Sequence, residues 1–125
     1  MSSVDSLAAR LLSATLMFDR ASLLALEALA AESDRRVLRR GEVLVREGDP
    51  SDRFFVVLSG RFTVHKDPLG SVAEIAQGEL VGELGFVAGR HRTATVLAAR
   101  VSIVRGISRI HIANAAETLH TVRGR

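Results

Sequence analysis

At Arg35 the hydrophobic period of this chain changes from helical to strand-like, and that switch constrains the fold more than any other feature. Before it, Val4, Leu7, Leu11, Leu12 and Leu16 recur at three- and four-residue intervals, which gives residues 4–17 one apolar helical face. Asp19 stands where it can cap a second helix carrying Leu23, Leu26, Leu29 and Ala30. Beyond Arg35, short apolar runs at 37–39, 43–46, 54–58, 61–66, 72–76, 94–98 and 101–105 are parted by turn residues. Gly41 and the segment Glu47-Gly48-Asp49-Pro50 mark two of these turns. Ser59-Gly60 is a two-residue hairpin signal, and Asp67-Pro68-Leu69-Gly70 reads as a type I turn. About eight short strands at close spacing predict an antiparallel barrel or jelly roll. A last helix is expected from near Ser108, with Ile110, Ala113 and Glu117 at helical spacing and a frayed end over 121–125.

Composition narrows the functions open to such a fold. The 125 residues are enough for one hydrophobic core, and with 47% apolar and 25% charged residues the chain is not disordered by composition. No apolar stretch approaches the ~20 residues that span a bilayer, and Asp5 and Arg10 interrupt the first apolar pattern with no basic leader ahead of it. The expectation is a cytoplasmic protein with no membrane insertion, or the cytosolic face of a membrane protein if it belongs to one. The absence of cysteine excludes disulfides, thiol nucleophiles and thiolate metal sites. The net charge of +3 comes from bases and acids that alternate along the chain, and there is no Trp and no Tyr to serve as a base-stacking platform. Direct nucleic-acid binding is therefore not expected.

The segment 78–96, GELVGELGFVAGRHRTATV, carries the chemistry. Between two strands it sets a glycine, a carboxylate, a stretch able to make one helical turn, and then Arg92-Thr93. Such an order suits a phosphodiester attached to a ribose. Peptide N–H groups at a helix start point at phosphate oxygens, and a guanidinium offers those oxygens a planar fork that never loses its charge. A carboxylate opposite accepts from a ribose hydroxyl, and Gly82 permits close backbone approach to the sugar.

Gly82-Glu83-Leu84-Gly85-Phe86 and Arg92-Thr93-Ala94-Thr95-Val96, with nine positions from Glu83 to Arg92, resemble the phosphate-binding cassette of cyclic nucleotide-binding domains. Val43-Leu44-Val45-Arg46-Glu47-Gly48-Asp49, then Asp52, Phe54 to Leu58 and Ser59-Gly60, are similar to the β-roll of the same family, in order and with glycines at the turns. Glu79 also follows a glycine, but its distance from Arg92 does not fit. The likeness is to the family of the catabolite activator protein and the protein kinase A regulatory subunit, in its bacterial form. The fold it implies is mainly β: an eight-stranded antiparallel β-roll, or jelly roll, with N-terminal helices and a truncated C-terminal helix. The expected division is an N-terminal helix over 1–17 and a cyclic nucleotide-binding domain over 18–125, its β-roll at about 35–106 and its cassette at 82–95.

Position by position, the resemblance implies that Glu83 accepts from the ribose 2′-hydroxyl and that Arg92 pairs with the exocyclic phosphate oxygens. The backbone N–H groups of Leu84, Gly85 and Thr93 are candidates for the remaining phosphate contacts, Gly82 for close approach, and Leu80 for an apolar contact to the base. The Thr93 hydroxyl is open to either phosphate or purine. Arg90 and His91 add charge beside the cassette, with His91 read as a solvated loop residue.

The implied ligand is cyclic AMP or cyclic GMP, with no metal. Four histidines stand in the chain, but the His-x-His pair of a cupin metal site is missing, as is a Gly-x-Ser-x-Gly elbow. The expected function is a non-enzymatic regulatory module controlling an effector domain or subunit beyond residue 125, with the family's lid helix also beyond it. Two rivals stand: the sensor half of a transcription regulator, and a degenerate roll that binds no ligand and serves protein interaction.

Overall fold

Residues 23–123 are described by the computed structural model, so the expected helix over 4–17 and the Asp19 cap lie outside the described residues. The described chain runs α1 (Leu23–Glu32), β1 (Asp34–Leu38), β2 (Val43–Val45), β3 (Arg53–Ser59), β4 (Arg61–Lys66), β5 (Gly70–Ala76), β6 (Leu80–Val81), α2 (Glu83–Ala88), β7 (Thr95–Ala98), β8 (Ser102–Ser108) and α3 (Arg109–Arg123). The strands form two antiparallel four-stranded sheets, ordered β1-β8-β3-β6 and β2-β7-β4-β5. The mainly β roll expected from the sequence is the fold observed.

The sequence of β3, RFFVVLS, explains its central place. Its side chains alternate between two apolar clusters, as a strand covered on both faces requires. Phe54, Val56 and Leu58 join Ile107, Phe86, Leu29, Ala30 and Ala115 beneath the helices. Phe55 and Val57 join Phe62, Val81, Val96, Ala98 and Val104 inside the roll. Phe54, Val56, Val57 and Phe62 are wholly buried, each such side chain contributing roughly 1.5–3 kcal/mol by leaving water.

Several local expectations are corrected. Ser59-Gly60 is not a hairpin: β3 pairs with β6 and β8, β4 with β5 and β7, so the chain passes from one sheet to the other at Gly60. Gly60 has φ 100°, and a Cβ there would run into Ser102, whose hydroxyl accepts from Arg61 N at 3.0 Å. A positive-φ glycine serves a corner as well as a hairpin, and the packing of Ser102 decides between them. The β4–β5 connection carries a cis Asp67–Pro68 bond and pairs Lys66 with Gly70, φ 81°, across three residues. Strand β6, only two residues long, has no periodicity to reveal it and is made by pairing with Phe55 and Val56.

The last helix begins where expected. Ser108 and His111 close its first turn reciprocally, Ser108 N donating to His111 Nδ1 at 3.0 Å and His111 N to Ser108 Oγ at 3.5 Å. Histidine here takes the place usually held by Glu or Gln. Ile110, Ala113 and Glu117 face solvent, while Ala115 is buried in the cluster beneath the helices. Among the described residues no helix is long and apolar enough to cross a membrane.

Candidate functional site

Between β6 and α2 the backbone turns through Gly82, which caps the helix with φ 78°. Glycine is needed there twice over. The left-handed conformation disfavours any side chain, and a Cβ would collide with Nη1 of Arg92. The helix ends at Gly89, φ 66°, with Arg90 N donating to Gly85 O at 2.9 Å. Phe86 anchors α2 in the cluster beneath the helices, its ring 5.2 Å from that of Phe54. Arg109 holds the same residue, stacking on the Phe86 ring at 4.5 Å and donating from Nη2 to Phe86 O at 2.8 Å.

Arg92 is fixed by the turn between β2 and β3. Its N–H donates to Asp49 O at 2.7 Å, its carbonyl accepts from Gly48 N at 2.8 Å, and Pro50 bridges to His91. Its Nη2 donates to Arg53 O at 2.6 Å and lies 3.9 Å from the Asp52 carboxylate. The side chain is only 5% exposed, whereas Asp52 is largely in solvent. Nη1 is buried with no hydrogen-bond partner among the described residues. Burial pulls the pKa of this guanidinium below its ordinary value; Asp52 and Asp49 oppose that pull and Arg53 adds to it. Arginine starts so high that it keeps its charge at neutral pH. A buried cation with a vacant donor is a costly arrangement that an anion relieves.

Arg92 borders a cavity of about 670 Å³, within the range of small-molecule sites. Val45, Val64, Ile75, Val81 and Val96 supply its apolar wall, each from a different strand. Leu84, Val87 and Ala88 of α2 border it too, and Ser51, Arg90, Arg92 and Thr93 bring polar groups. One end therefore offers a buried cation and the remainder an apolar surface.

Of the sequence-derived site residues, Gly82, Leu84, Gly85, Arg92 and Thr93 come together around this cavity. The Leu84 side chain is 78% exposed. Thr93 is exposed, and its carbonyl accepts from Lys66 Nζ at 3.2 Å. Glu83 is half-buried as the first residue of α2, between two cavity residues, and no described residue forms an ion pair with it. Leu80 is corrected. It pairs with Val56 and packs against the cluster beneath the helices, while Val81, paired with Phe55, turns into the roll and lines the cavity. The two alternate as strand neighbours must. Sequence reasoning also missed Ser51, Asp52 and the Arg53 carbonyl. The turn glycine Gly48 and the neighbouring Asp49 were the available signals, for they belong to the clamp on Arg92. Among the described residues no cluster of histidines and carboxylates is arranged to hold a metal ion.

The site is thus the end of a jelly roll where a buried arginine lies beside a cavity next to a short glycine-capped helix. Residues 35–118 match the cyclic nucleotide-binding domain family, and the chain belongs to that family. It is 42% identical over 80 residues to an uncharacterised NTE family protein of Mycobacterium tuberculosis, a match covering 63% of this chain and 14% of that protein. It is 38% identical over 78 residues to the acetyltransferase Pat of Mycolicibacterium smegmatis, covering 60% of this chain and 23% of the other. Among solved structures, a cyclic nucleotide-binding-like protein from Brucella abortus superposes with a TM-score of 0.78 at 27% identity, covering 88% of this chain and 97% of that one. The chain thus spans only a small part of the curated relatives it matches.

Proposed function

We propose that this chain binds a cyclic purine nucleotide, cyclic AMP or cyclic GMP, and through it regulates an effector outside the chain. The observation that carries the reading is Arg92 Nη1, buried and unpartnered beside a cavity of about 670 Å³. In this reading the phosphate takes that vacant donor together with the backbone N–H groups of Leu84, Gly85 and Thr93. Glu83 accepts from the ribose 2′-hydroxyl, Gly82 admits the sugar, and the base lies against the apolar wall. Val81 takes the role that sequence reasoning gave Leu80. No bond is made or broken, so the output is the difference in affinity between two positions of α2 and α3. The contact of Arg109 with Phe86 joins those helices directly.

Relatives in which the matched domain is a small share of a longer protein support an effector elsewhere. The higher identity favours a host resembling the NTE family protein over one resembling the acetyltransferase. Isothermal titration with cyclic AMP and cyclic GMP tests the binding. Saturable binding of one ligand per chain supports it; no heat from either nucleotide at millimolar ligand contradicts it.

A further inference from the structure

Two buried polar groups bordering the cavity lack hydrogen-bond partners among the described residues. Nη1 of Arg92 is one, and the hydroxyl of Ser51 is the other. Native proteins leave few such groups, and each calls for a physical reason. Ser51 lies in the β2–β3 connection that also fixes Arg92, one residue from Asp52, which faces the guanidinium. Its hydroxyl packs against α2: a Cβ on Gly85 would lie 2.7 Å from Ser51 Oγ. Filling space beside Gly85 would need only a methyl group, and alanine supplies one without burying an unsatisfied hydroxyl. The donor itself therefore has a use beyond the packing seen among the described residues.

We infer that Ser51 is a further ligand-binding residue, donating its hydroxyl to an oxygen of the same phosphate that Arg92 receives. This rests on the proposed cyclic nucleotide binding and goes beyond it by assigning a residue outside the cassette. The two donors differ in kind. Arg92 supplies charge, whereas Ser51 supplies one neutral, directional hydrogen bond on the α2 side of the site. Ser51 thereby distinguishes one exocyclic phosphate oxygen from the other. It also ties the β2–β3 turn to the cassette helix through the ligand, so that both close on the same atom group.

The test is titration of the parent chain, Ser51→Ala and Ser51→Cys with cyclic AMP, cyclic GMP and the two exocyclic phosphorothioate diastereomers of whichever binds. Cysteine keeps the volume but is a weak donor. Both variants are expected to bind the natural nucleotide about ten- to a hundredfold more weakly, the size of a hydrogen bond to a charged acceptor. The loss is expected with only one diastereomer, because sulfur in the other replaces the oxygen that Ser51 contacts. Unliganded Ser51→Ala should melt no lower than the parent, since it sheds a buried unsatisfied group. Parent-like affinity in Ser51→Ala overturns the inference, as does an equal loss for both diastereomers or full recovery in Ser51→Cys, which would assign Ser51 to packing. Absence of nucleotide binding by the parent would instead overturn the underlying reading, and this one with it.

Discussion

The two sides of β3 have opposite fates. Phe54, Val56 and Leu58 face a cluster closed by α1, α2 and α3, while Phe55 and Val57 face a cluster that opens at one end into the cavity. Both are built from the same residue types, so hydrophobicity does not separate core from site. Closure does: the helices complete one cluster, and the interior of the roll continues into the cavity beside Arg92. The short helix α2 belongs to both sides. Phe86 anchors it in the closed cluster, and Leu84 and Val87 stand 78% and 64% exposed at the cavity. The difference teaches that one strand can carry stability on one face and recognition on the other.

The division can be broken from its closed side first. Ile107→Ala should lower stability by about 2–5 kcal/mol, the usual toll of truncating a fully buried isoleucine to alanine. Urea denaturation measures this, and nucleotide affinity of the remaining folded fraction should be essentially unchanged. Loss of affinity without loss of stability would show that the two sides are not separate.

How much of this was legible in the sequence follows the range of the interactions involved. The roll and the cassette were readable because turn glycines and the 82–95 pattern are local signals. Gly60 was misassigned because its positive φ suits either a hairpin or a corner, and Ser102, far along the chain, makes the choice. The exchange of Leu80 for Val81 has a similar origin. Two residues carry no readable period, so pairing with Phe55 and Val56 sets which of them points inward. Arg92 was identified as a site residue, but its burial was not foreseeable from a loop rich in charge. The turn at Gly48 and Asp49, read as a turn and as part of a second family signature but not as part of the site, is what fixes the Arg92 backbone.

On the open side, Glu83→Gln sharpens the comparison by asking whether the cassette reads the sugar. Its effect should be about 1.5–3 kcal/mol with a ribose ligand and nearly absent with the 2′-deoxy ligand. A double-mutant cycle between side chain and ligand hydroxyl measures the coupling. A coupling near zero would assign Glu83 to the start of α2 alone, where a carboxylate favours the helix dipole.

A smaller effect is expected at Thr93. Cyclic AMP should bind at least as well as cyclic GMP, because the cavity wall of Val45, Val64, Ile75, Val81 and Val96 gives guanine no specific partner. One neutral hydrogen bond is worth about 0.5–1.5 kcal/mol, so Thr93→Ala should change either affinity by roughly tenfold at most. Competition of both nucleotides against one labelled ligand checks this. A cyclic GMP preference that disappears in Thr93→Ala would assign the hydroxyl to the purine.

The central claim is that the buried Arg92 guanidinium, whose Nη1 has no hydrogen-bond partner among the described residues, binds a phosphate, and titration of Arg92→Ala beside the parent chain tests it most directly. The variant should remain folded, as judged by circular dichroism and cooperative melting, because the two backbone hydrogen bonds that fix residue 92 to Asp49 and Gly48 need no side chain. Its affinity for the cyclic nucleotide should fall by about 2–5 kcal/mol, the range found when one partner of a buried charge pair is removed. A folded Arg92→Ala that binds as tightly as the parent would contradict the account.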